Sequence, residues 1–216
     1  MHGGYGSFMV FRKLEQNVKA FWESLGELSI KSGIPLDKAA ALAVGRYEDG
    51  TPVMPTTVIK DKADQNDFHY DQDPKAAICP FHAHIRKTNP RGDVPRYITN
   101  GNAGFERARR IVRRGITYGN RSNLSAGTAV ERPAEGVGLL FMCFQSNLDQ
   151  FAIQQEGSDL NIFVKEGVGV DAVIGQNSEL VAQTWPGNVK YTMANFVKML
   201  GGEYFFAPSI SFLTSL

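Results

Sequence analysis

Apolar positions along the chain fall into blocks of different period. Residues 6–12, Gly-Ser-Phe-Met-Val-Phe-Arg, predict a buried strand close to the first residue. Leu14, Val18, Phe21, Trp22, Leu25 and Leu28 then recur on one face of a 3.6-residue period, predicting an amphipathic helix that Gly33 and Pro35 end. A second, short helix is predicted through Lys38 to Ala43, stopping at Gly45. Residues 49–80 are rich in Asp, Lys, Gln and Pro and read as a long loop, a length that is usually functional in a compact domain. Short strands are expected around Ala83–Ile85 and Arg109–Val112. The apolar run Gly138–Gln145 reads as a central strand, Leu148–Gln155 as a helix, and Gly201–Pro208 as a strand stopped by proline before a short terminal helix. Such an order is an α+β pattern rather than a regular βαβ alternation. No internal repeat or low-complexity linker interrupts it, and one domain spanning residues 1–216 is the simplest reading.

Composition narrows the function classes. Hydrophobic residues make up 43% and charged residues 21%, an ordinary globular balance. Lys and Arg number 23 against 22 Asp and Glu, a net charge of +1 that argues against a general nucleic-acid binder. No run approaches the ~20 apolar residues of a membrane span. The N-terminus lacks the basic and apolar regions of a secretory signal. The two cysteines, Cys79 and Cys143, form no Cys-x-x-Cys pair, so a reducing cytoplasm is the expected setting.

Two segments carry candidate chemistry. His82 and His84 stand in Cys79-Pro-Phe-His-Ala-His-Ile-Arg-Lys-Thr-Asn-Pro-Arg91. On a strand, His-x-His would present two imidazoles on one face, which can chelate zinc or another transition metal, although packed or solvated histidines are the commoner outcome. Arg107–Arg114 holds five arginines in eight residues. A basic cluster on an α+β sheet can grip RNA phosphates, but no aromatic ribonucleoprotein motif accompanies it, and a solvated, ion-paired edge is the commoner explanation.

The first segment resembles the proximal haem-ligand segment of dye-decolourising (DyP-type) peroxidases. Arg110-Ile-Val-Arg-Arg-Gly-Ile-Thr-Tyr-Gly119 is similar to the distal-arginine segment of the same family. Three further blocks, Gly6–Leu14, Gly138–Gln145 and Gly201–Ser209, resemble that family in the same order, so the resemblance runs from about residue 6 to the C-terminus. It implies a ferredoxin-like antiparallel sheet with helices on one face, one half of the family's two-domain architecture. It also implies haem b as cofactor, with His84 as the iron ligand and metal site, Arg113 as the distal arginine, and Leu139 and Phe141 as an apolar wall over the haem. Arg86 and Asn89 are the expected propionate partners. His82 departs from the family pattern, which has a small residue there. Asp149 is the first candidate for the carboxylate that orients the ligand imidazole, with Glu156 or Asp159 as substitutes.

The implied activity is oxidation of small aromatic donors by hydrogen peroxide. The family's distal aspartate lies in a Gly-x-x-Asp-Gly motif of an N-terminal half that this sequence does not contain. Gly45-Arg-Tyr-Glu-Asp-Gly50 has one residue too many, so Asp49 is not assigned that role. The expectation is therefore impaired turnover, with self-association or association with a separate N-terminal half. The alternative is a catalytically inactive haem-binding or assembly module derived from the family.

Overall fold

The computed structural model describes residues 4–55, 64–120, 132–160, 168–176 and 182–216. Strand β1 (Ser7–Gln16) leads into α1 (Val18–Ser32) and α2 (Leu36–Val44). Three single-turn to two-turn helices follow, α3 (His84–Thr88), α4 (Asp93–Tyr97) and α5 (Ala103–Arg107), then β2 (Val112–Arg113), β3 (Ile116–Tyr118) and β4 (Gly138–Gln145). The chain continues through α6 (Asp149–Asp159), a hairpin of β5 (Thr184–Trp185) and β6 (Val189–Lys190), the long β7 (Val197–Ala207) and α7 (Ile210–Leu213). All pairings in the main sheet are antiparallel, with β1 between β4 and β7, and with β2 and β3 both on the outer side of β4. The architecture is α+β and ferredoxin-like, as expected.

Boundaries moved where a period was ambiguous. Leu14 is a strand residue: β1 runs on to Gln16, placing Leu14 opposite Leu139 on one side and Met199 on the other. The helix begins only after Asn17, whose side chain accepts the Ala20 amide at 2.9 Å and so satisfies one of the donors a helix start leaves free. The strand expected around Ala83–Ile85 is instead the start of α3. A turn bond from Ala83 N to the Pro80 carbonyl (3.1 Å) bends the chain there, and a short apolar run cannot distinguish the two states by period.

The hydrophobic core lies in the helical layer. Phe21, Leu25 and Leu28 of α1 pack on Ala39–Ala43 of α2, small side chains that let the helices approach. Val53, Met54, Phe68, Tyr70 and Cys79 of the expected long loop are buried in that core, so its described parts act as packing elements; residues 56–63 lie outside the described residues. Gly45 closes α2 in the left-handed conformation (φ 98°), and a Cβ there would come within 2.3 Å of Ile85, so α3 rests on this glycine. Among the described residues no residue of the main sheet belongs to the helical core, whereas Trp185 of the β5–β6 hairpin does. Among the described residues no helix is long and apolar enough to cross a membrane.

Gly138 sits where β4 crosses closest to β1: a Cβ would lie 1.9 Å from the Leu14 carbonyl oxygen. Gly138→Ala is expected to lower unfolding stability by about 1–3 kcal/mol, the usual penalty for overpacking, measured by urea denaturation.

Candidate functional site

α3 is held from its middle. Arg86 is completely buried and uses all its donors: Nε to Asp93 Oδ2 (2.6 Å), Nη1 to Asp73 Oδ2 (2.9 Å) and the Cys79 carbonyl (2.5 Å), Nη2 to the Asp73 carbonyl (2.9 Å) and Asp93 Oδ1 (3.0 Å). The rings of Tyr70 and Phe81 lie 4.3 and 4.4 Å from the guanidinium carbon. Asp73 also accepts the amides of Ala77, Ile78 and Cys79, which folds the segment before α3 around the same carboxylate. Burial pushes Asp93 above the ordinary carboxylate range, with Arg86 pulling against it.

Held in this way, α3 presents His84 at its first position. Nδ1 of His84 lies 2.9 Å from Oδ2 of Asp171, whose side chain is fully buried while that of His84 is 19% exposed. Oδ1 of Asp171 accepts the amides of Val173 (2.8 Å) and Ile174 (3.0 Å). Burial opposes the charge on Asp171, but the neighbouring His84 and these two amides outweigh it and hold its carboxyl below the usual range. An ionised Asp171 places the imidazole proton on Nδ1 and leaves the Nε2 lone pair free. Nε2 makes no hydrogen bond among the described residues. This carboxylate–histidine pair is the arrangement that orients a metal-ligating imidazole and raises its basicity.

The sheet supplies a second surface. Arg113 stands opposite Cys143, and Leu139, Phe141 and Cys143 alternate onto the same face of β4. Val10, Arg12 and Leu14 of β1 share that face, and Phe151 of α6 reaches it, 5.8 Å from the Phe141 ring and 5.4 Å from the Arg12 guanidinium. Leu139 and Phe141 are half-buried. Arg113 is exposed, and no carboxylate pairs with it among the described residues. Within the rest of the arginine cluster, Arg109 caps the Phe105 carbonyl, Arg110 pairs with Glu106 and Arg114 donates to the Arg113 carbonyl.

The comparisons with known proteins bear on both surfaces. The multifunctional dye peroxidase DyP2 of Amycolatopsis sp. is 42% identical over 234 positions, covering 98% of this chain and 49% of the relative. The dye-decolorizing peroxidase AauDyP1 of Auricularia auricula-judae is 35% identical, covering 95% of this chain and 45% of its own. This chain belongs to the DyP-type haem peroxidase family. The crystal structure of the Anabaena sp. DyP-type peroxidase AnaPX superposes with a TM-score of 0.82 at 42% identity, over the whole of this chain and 47% of that one. The chain thus spans about half the length of the relatives it matches. No protein-family model matches it.

Within this DyP-type chain several expected roles change. Asp149, Glu156 and Asp159 do not orient His84: Asp149 and Glu156 are exposed, and Asp159 accepts the Gln176 amide at 2.8 Å. Asp171 takes that place. Its sequence signal is a lone carboxylate inside Gly169-Val-Asp-Ala-Val-Ile-Gly175, since an acid buried in an apolar run requires a partner. Arg86 has no donor left for a propionate, because two carboxylates and two carbonyls already take them all. Asn89 follows α3, with its Oδ1 buried and unpartnered, beside a small cavity also lined by Arg109 and Arg110. His82 does not share a chelating face with His84. It is fully buried edge-on to Trp185 (4.3 Å), and no group of three His, Cys, Asp or Glu that could hold a metal ion occurs among the described residues. Asp49 caps its own turn through the Thr51 amide (2.9 Å).

Arg86→Met would leave Asp73 buried without its counter-charge and Asp93 with Arg96 alone, at 4.0 Å. The haem-free chain is expected to lose about 3–5 kcal/mol in denaturant unfolding. His82 gives a pH dependence of determined sign. Burial pulls its pKa from 6.5 down to about 3, so the unfolded state binds its proton first as pH falls. Stability from this group is complete above pH 6.5 and is lost progressively toward about 3. The unfolding free energy of the haem-free His82→Leu variant should therefore decline less steeply between pH 7 and 5 than that of the parent.

Proposed function

We propose that this chain is the haem-binding half of a DyP-type peroxidase, holding haem b through Nε2 of His84 and using hydrogen peroxide to oxidise small aromatic donors. The observation that carries this reading is the buried Asp171–His84 pair with its outward lone pair, in a chain of this family. The residues present fit the group. Among the described residues Nε2 of His84 is a free nitrogen ligand, Leu139 and Phe141 offer an apolar wall, and Arg113 is an unpaired cation on the same sheet face; the unpartnered Asn89 atom is Oδ1, an acceptor that does not suit a carboxylate edge.

Haem, when bound, supplies the iron that takes up peroxide and passes oxidising equivalents to the donor. The protein groups do the rest. Asp171 holds the Nδ1 proton of His84 and keeps the imidazole electron-rich. The Arg113 guanidinium stabilises negative charge on the departing peroxide oxygen, and the apolar wall keeps bulk water from weakening that interaction. A base that moves the peroxide proton is not supplied by Asp49. We assign that task to the N-terminal half of the family's architecture, which this chain's match to its relatives does not cover. Free, buried Cys79 and Cys143 support a cytoplasmic setting.

Haem reconstitution tests the reading. A Soret band is expected that His84→Ala abolishes and His82→Ala leaves intact; a parent chain that takes up no haem refutes it. Arg113→Leu should retain the band and slow the peroxide-induced spectral change by about 10²–10³-fold. A peroxide response in the parent that Arg113→Leu leaves unchanged would favour the inactive-module alternative.

A further inference from the structure

The last turn of a helix leaves carbonyl oxygens without intrahelical partners. At the end of α6 these oxygens join the two halves of the His84–Asp171 pair. Gly157 O and Leu160 O accept the Lys87 ammonium at 3.2 and 3.3 Å, and between them Ser158 O accepts the Asp171 amide at 2.8 Å. Lys87 lies three residues beyond His84 on α3, so the ligand helix and the Asp171 turn are anchored on one helix end. Lys87 is only 6% exposed, and no carboxylate lies within ion-pair distance of it among the described residues. An ammonium buried against neutral carbonyls is costly, and the negative end of α6 offsets only part of that cost. What distinguishes this location is the fully buried Asp171 carboxylate held by the same turn.

We propose that Lys87 is an electrostatic positioning residue for the proximal pair: its buried charge polarises the Asp171 carboxylate away from His84 and limits the electron density that His84 delivers to a bound iron. Burial draws its pKa down to about 8, while the charges of Asp171 and Asp159 support the ammonium, which agrees with a cation lodged close to both. The inference rests on the haem reading for its electrochemical consequence, and on the His84–Asp171 geometry alone for its effect on the hydrogen bond.

Two measurements test it. In the haem-loaded chain, Lys87→Met and Lys87→Gln should shift the ferric/ferrous equilibrium about tenfold toward ferric, about 59 mV for one electron, with Lys87→Arg remaining near the parent and Asp171→Asn moving the opposite way. A merely structural role would loosen the Asp171–His84 bond and raise the potential. A raised or unchanged potential in both neutral variants therefore overturns the proposal. In the haem-free chain, the Nδ1 proton resonance of His84 should move downfield in both neutral variants as Asp171 becomes the stronger acceptor; an upfield or unmoved resonance overturns it. Lys87→Gln retains a donor for the α6 carbonyls and serves if Lys87→Met fails to fold. A parent that binds no haem, with neutral Lys87 variants that show the downfield shift, refutes the haem reading and leaves the Lys87 assignment standing.

Discussion

The geometry of the proximal site depends on one buried guanidinium. A helix of five residues is far below the about 12–15 residues at which an isolated helix becomes marginally stable in water, so α3 cannot hold its own shape. Arg86 holds it instead. Its planar fork joins Asp73, from the segment before the helix, to Asp93, from the segment after it, and two aromatic rings cover its faces. Buried ion pairs of this kind are weak sources of net stability, because desolvation cancels much of the attraction. Their geometry is nonetheless exacting, and here it sets the direction in which His84 leaves the helix.

From that anchor the site is assembled by contacts distant in sequence. His84 and Asp171 are separated by 87 positions and meet at 2.9 Å because the end of α6 receives the Asp171 amide while α3 packs against the same helix. α6 also places Phe151 on the sheet face that carries Arg113, Leu139 and Phe141. One helix thus relates the imidazole layer to the sheet. The main sheet takes no part in the helical core; on its inner face Val10 and Cys143 are buried while Leu139 and Phe141 remain half-buried.

The opposite sheet face is a separate matter. Met9, Phe11, Leu140, Met142, Phe144 and Phe205 occupy it by strand alternation, with Val112 and Ile116 more than half exposed. An apolar face of this extent agrees with the half-length match to the relatives and with the association expected from the sequence.

Much of the architecture was legible in the chain itself. The helix through Phe21, Leu25 and Leu28, the strand Gly138–Gln145 and the order of elements follow from local period, because side-chain direction alternates or rotates by rules that need no distant partner. The roles of His84, Arg113, Leu139 and Phe141 were expected from resemblance, and strand register then placed the last three on one face. Tertiary structure decided the rest. It made Ala83–Ile85 helical, since a turn and a buried arginine override a short ambiguous run. It closed Arg86 to any ligand and named Asp171, rather than Asp149, Glu156 or Asp159, as the partner of His84. Sequence distance carries no information about such pairings: a buried carboxylate is satisfied by whichever donor the packed backbone brings to it, and only the fold determines which donor that is.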